Sequence, residues 1–125
     1  MGAREEAVVR KFEAAWGDGT IEHPDVVNIL STMAEDVVWH LAVPNGPIIT
    51  GKAAVAQEIV RQFDFTSYLQ CGTINLCSNE RIVISERVDR YLLTGKQIHH
   101  PLVAIYEIDD NGLIKHWREY FDTSE

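Results

Sequence analysis

The second half of the chain constrains the fold most. From Tyr68 onward the residues fall into runs of about ten that alternate apolar with polar, and each run ends at a turn signal. The runs read as strands over 67–77, 81–92, 97–108 and 113–122, with breaks at Ser78-Asn79, Thr94-Gly95-Lys96 and Asp109-Asp110-Asn111-Gly112. Four successive strands joined by tight turns form an antiparallel meander, and such a sheet needs something laid over its apolar face.

The first half supplies the cover. Val8, Val9, Phe12, Ala15 and Trp16 recur at helical spacing until Gly17-Asp18-Gly19 stops the pattern. A second helix is expected from Pro24, with Val26, Val27, Leu30 and Met33 on its buried side. A third is expected over 51–63, capped by Thr50, with Ala53, Val55, Ala56, Ile59, Val60 and Phe63 as its apolar stripe. Between the last two, Asp36-Val37-Val38-Trp39-His40-Leu41 reads as a short strand ending before Pro44-Asn45-Gly46-Pro47. Helices followed by a meander mean an α+β fold, in one domain over 1–125, with helices on one face of a curved sheet and a pocket on its concave side.

Composition narrows the partners. With 11 Lys+Arg against 19 Asp+Glu the formal charge is −8, and no basic run interleaves with aromatics, so neither nucleic acid nor an anionic membrane surface is an expected partner. The first six residues lack the apolar stretch of a signal peptide and no segment approaches 18 apolar residues, so the chain reads as soluble and cytoplasmic. Cys71 and Cys77 are expected to be reduced and partly buried, without zinc-type spacing around them.

Chemistry concentrates at Glu86-Arg87-Val88-Asp89-Arg90-Tyr91. On a strand Arg87 and Asp89 share one face and Val88 takes the other. Facing solvent, the pair would be an ordinary ion pair worth about 0–1 kcal/mol. Facing the inside of a small barrel, both charges would need partners, and their retention would suggest a function. On the last strand plain alternation sets Asp122 with Arg118 and Tyr120, and Trp117 and Phe121 opposite, unless a bulge re-aims the strand end.

Glu86-Arg87-Val88-Asp89, Thr94-Gly95-Lys96, Gly112-Leu113-Ile114 and Trp117-Arg118-Glu119-Tyr120-Phe121-Asp122, in that order and spacing, resemble the limonene-1,2-epoxide hydrolases. Asp36 and Gly51-Lys52-Ala53-Ala54-Val55 fit the same layout. The resemblance implies the cone-shaped fold shared with nuclear-transport-factor-like proteins, ketosteroid isomerase and small polyketide cyclases: a curved antiparallel or mixed sheet with about three N-terminal helices enclosing a deep pocket. It also implies an Asp–Arg–Asp triad of Asp89 as acid, Arg87 between, and Asp122 as base, with no cofactor or metal, and a homodimer. The substrate implied is a small apolar epoxide plus water. Where that family uses a tyrosine and an asparagine to help hold the attacking water, this chain has Trp39 and Leu41. His99 falls where an asparagine often stands, although of His99 and His100 only one can face the pocket. Tyr91, Leu102, Trp117 and Phe121 complete the expected walls. An isomerase or cyclase of the same fold, and a non-catalytic binding module, remain alternatives.

Overall fold

A computed structural model describes residues 2–123. Helices α1 (Ala3–Trp16) and α2 (Val26–Ser31) precede strands β1 (Met33–His40) and β2 (Ile48–Thr50); α3 (Lys52–Gln62) then leads into β3 (Thr66–Asn79), β4 (Ile82–Leu93), β5 (Lys96–Ile108) and β6 (Ile114–Tyr120). The fold is α+β, with one curved, unclosed sheet of six strands in the order β2-β1-β6-β5-β4-β3. The meander from β3 to β6 is antiparallel throughout. Strand β1 returns beside β6 in parallel, with Trp39 opposite Trp117, and carries the short β2 on its outer edge.

Alternation decides what each strand contributes. Along β4 Val83, Ser85, Arg87 and Asp89 are buried while Ile84, Glu86 and Arg90 are exposed, and on β5 Leu102, Ala104, Tyr106 and Ile108 take the buried face. Helix α1 lays Val9, Phe12, Glu13 and Trp16 against that concave face. Phe12 and Trp16 both meet the Trp117 ring edge to face, at 4.8 and 5.8 Å between centroids, and Trp117 stacks on Trp39 at 4.2 Å. Four large apolar side chains from α1, β1 and β6 thus form one aromatic block, which exceeds its area burial in value by about 0.5–1.5 kcal/mol per pair.

The first half departs from the sequence expectation at three places. The second helix is shorter: Ile29 is its buried residue, Val27 is 79% exposed, and Met33 already belongs to β1. Thr50 does not cap α3; it closes β2, and Gly51 holds the cap position without a side-chain bond. Val60 lies half exposed off the buried stripe of α3, which is Val55 and Ile59. The first two reflect tertiary pairing overriding a short local pattern: Met33 is taken into a ladder with Ile114 of β6, and Thr50 into the ladder that β1 offers β2.

The end of α1 depends on a glycine. Gly17 sits at φ 127°, and a Cβ there would lie 2.5 Å from the Leu69 carbonyl oxygen, because the backbone of β3 runs hard against this turn. Gly17→Ala is expected to cost about 1–3 kcal/mol of stability from the backbone conformation alone, with the Leu69 clash added, read as a lower midpoint in urea unfolding.

Candidate functional site

The concave face of the sheet opens into a cavity of about 370 Å³, within the span typical of small-molecule sites. Its mouth and walls come from Trp16 on α1, Trp39 and Leu41 on and after β1, Phe65 and Leu69 around the start of β3, and Phe121 after β6. The floor is charged, because Arg87 and Asp89 on β4 and Glu119 on β6 all line it.

Arg87 organises that floor. Its side chain is 4% exposed, and all three of its nitrogens are engaged. Nε donates to Asp89 Oδ1 at 3.1 Å, and Nη2 donates to Asp89 Oδ2 at 3.4 Å and to Glu119 Oε2 at 2.5 Å. Nη1 turns away from the cavity, donating to the Tyr106 hydroxyl at 2.5 Å and to Glu13 Oε2 at 3.3 Å. Burial works against the guanidinium's charge, yet the acidic groups around it outweigh that and push its pKa up, so it is a permanent cation here. Strands lie about 4.8 Å apart, so for Arg87 on β4 to reach Glu119 on β6 it must span β5. Ala104, the β5 partner of Glu119, is small enough to let the side chain pass.

Glu119 Oε2 also accepts from the Trp117 indole N–H at 3.1 Å. Burial pushes the Glu119 carboxyl above the ordinary range, and Arg87 offsets only part of this. Tyr91 is held neutral, its phenol raised by burial and by the nearby Asp89 and Glu119. His100, the β5 partner of Asp89, lines the cavity and packs edge to face on Phe121. Burial lowers its pKa, with Asp89 opposing.

A lowered imidazole has a definite linkage sign. The folded protein prefers neutral His100, so this contribution is present above the unfolded value of about 6.5 and is lost as pH falls through the lower folded value. His100→Leu is expected to lessen the fall in stability between pH 7 and 5, seen as a smaller change in melting temperature across that range than in the parent protein.

Of the residues singled out from sequence, Arg87, Asp89, Trp39, Leu41, Tyr91, Trp117 and Phe121 line the cavity together. Three others are placed differently. Asp122 follows the end of β6, is exposed and is not among the lining residues; the carboxylate of the last strand that lines the cavity is Glu119, three residues earlier. His99 is exposed on the outer side of β5, and His100 takes the inward position. Leu102 is buried on the concave face but packs in the core without lining the cavity. The Trp39 indole N–H is buried without a hydrogen-bond partner among the described residues, and Leu41 has none to offer.

Glu119 had a signal in the sequence: it shares the parity of Trp117 and Phe121, the apolar face of the last strand. Glu13 had one too, standing four residues from Val9 in the apolar stripe of α1.

The family model described as the limonene-1,2-epoxide hydrolase catalytic domain matches residues 5–125. Among solved structures, a Mycobacterium tuberculosis LEH-like epoxide hydrolase superposes with a TM-score of 0.79 at 20% identity, covering 95% of this chain and 83% of that one. An NTF2-like protein of unknown function from Burkholderia pseudomallei reaches 0.82 at 16% identity, covering 98% and 93%. A proposed polyketide cyclase from Pseudomonas putida reaches 0.80 at 18% identity, covering 95% and 92%. At these identities the structural likeness carries the fold.

Proposed function

Because the chain belongs to the limonene-1,2-epoxide hydrolase family, we propose that it opens a small apolar epoxide to a vicinal diol by a single attack of water. The observation that supports this most is one guanidinium bridging two carboxyl groups on the floor of a largely apolar cavity.

One-step opening needs an acid for the departing oxygen and a base for the attacking water. Glu119 suits the base. Two donors on Oε2 favour its ionised form, while burial raises its affinity for a proton toward that needed at neutral pH. Asp89, with the longer contacts to Arg87, takes the acid role. In the step, the water oxygen bonds to one ring carbon as that carbon's bond to the ring oxygen breaks. Asp89 gives its proton to that oxygen, Glu119 takes one from the water, and relay of the proton back to Asp89 resets the site. Arg87 keeps the two carboxyls from repelling one another and holds them in place.

Incubation with limonene oxide and with cyclohexene oxide is expected to give diol, with one oxygen from labelled water. No diol from either would overturn the reading. Leu41 and the Trp39 indole supply no acceptor for the attacking water, and this favours a second reading: proton transfer next to a carbonyl, as in isomerases or cyclases. Turnover of a β,γ-unsaturated ketone without diol would select it.

The outer face of the sheet exposes Ile74, Ile84, Val103 and Tyr120, and a second copy of this chain is the proposed occupant, as in a homodimer across the sheet. Light scattering is expected to give twice the chain mass, and Val103→Glu to return it to the monomer. A cytoplasmic location belongs to the same proposal; no helix among the described residues is long and apolar enough to cross a membrane.

A further inference from the structure

Behind the floor of the cavity lies a polar cluster that the proposed reaction does not use. Glu13, on α1, is 1% exposed and therefore among the most buried charged residues of the fold. Three kinds of donor converge on it. The Thr73 hydroxyl donates to Oε1 at 2.5 Å, the Tyr106 hydroxyl donates to Oε2 at 2.8 Å, and Arg87 Nη1 reaches Oε2 at 3.3 Å. Tyr106 itself accepts from Arg87 Nη1, so the phenol is threaded between guanidinium and carboxylate. A carboxyl group met only by donors is arranged as a carboxylate.

The charge count then matters. One guanidinium is shared among Glu13, Asp89 and Glu119, and a buried cluster of three carboxylates and one cation carries two uncompensated negative charges. Such a cluster lowers its energy by retaining a proton. The other titratable groups facing it stay neutral: burial pushes the Cys71 thiol on β3 and the Tyr106 phenol on β5 up, raises Tyr91 on β4, and lowers His100 on β5. Among the described residues no second Lys or Arg forms an ion pair with Glu13, Asp89 or Glu119.

The geometry points to Glu13 as a positioning residue that acts through Arg87: with Tyr106 it engages the guanidinium from behind and, by taking up its charge, makes the two cavity carboxyls share one proton. Without the charge on Glu13, Arg87 would face Asp89 and Glu119 undivided and the shared proton would be given up more easily. A site that needs one acid and one base together would then lose its acid. The role needs a titratable pair in the cavity, whatever substrate the pair serves.

Carbon-13 NMR of protein labelled at the glutamate carboxyl carbons, with the Glu119 resonance identified by its loss in Glu119→Gln, tests this without substrate. In Glu13→Gln the Glu119 titration midpoint is expected to fall by about one to two pH units, as removal of one nearby buried charge demands. Tyr106→Phe is expected to move it the same way by less, because Glu13 loses a donor and competes for the shared proton while Arg87 loses an acceptor. A folded Glu13→Gln with lowered melting temperature and an unmoved midpoint would show a merely structural residue and overturn the inference. Should Glu13→Gln not fold, an unmoved midpoint in Tyr106→Phe does the same. Failure to form diol would sink the hydrolase reading and leave this result standing.

Discussion

Glu119→Gln is expected to lower turnover of an epoxide substrate by at least 10² and up to about 10⁴, while Asp122→Asn stays within a few-fold of the parent. Glutamine keeps the shape and can still meet the Arg87 and Trp117 donors through its carbonyl oxygen. What it loses is the capacity to take a proton from water, so the effect belongs in kcat rather than KM. Asp122 lies exposed beyond β6, outside the lining of the cavity. Parallel kinetics of the two variants with the same epoxide decide the matter: a strong loss in Asp122→Asn with an active Glu119→Gln would move the base to the strand end and sink the site described above.

The second large effect is on stability. Arg87→Met is expected to cost about 3–5 kcal/mol, because it strips the cation from buried Glu13, Asp89 and Glu119 at once. For a domain of this size that corresponds to a fall on the order of 10 °C or more in melting temperature. The loss has a pH signature. Burial already holds the Glu119 carboxyl above the ordinary range against the pull of Arg87; with the cation gone that preference for the proton grows, so stability is regained below the unfolded carboxylate value of about 4.3 and lost as pH rises through the raised folded value of Glu119. Thermal melts of Arg87→Met at pH 5 and pH 8 check this, and a variant no less stable at pH 8 than at pH 5 would contradict it. Acid sensitivity is the ordinary behaviour of a protein rich in paired carboxylates; here the sign reverses because the partner is missing.

The same site shows why some of it could be read in advance and some could not. The shared face of Arg87 and Asp89 follows from the two-residue repeat of a strand, and the structure keeps that repeat along the whole of β4. For the second carboxylate the resemblance over Trp117 to Asp122 points to Asp122, whereas the strand repeat points to Glu119. Alternation sets Glu119, not Asp122, on the side of Trp117; the register shift of β6 falls between Ile114 and His116, and from His116 to Tyr120 its pairing with β5 is regular. The resemblance likewise points to His99, whereas the parity of Leu102, Ala104 and Tyr106 sets His100 inward. Strand β2 had no local signature, being three residues at the sheet edge that are held in a ladder with β1.

By itself the sequence determined the alternating and helical periodicities, and with them the α+β class and the shared face of the charge pair on β4, because backbone geometry fixes which neighbours along a chain share a face. Only the tertiary structure decided which distant charges meet. Arg87 reaches Glu119 because β5, with Ala104 at the crossing, lies between β4 and β6, and it reaches Glu13 because α1 packs across the same face. Strand order and helix placement are set by how the whole core closes, and no local pattern encodes them.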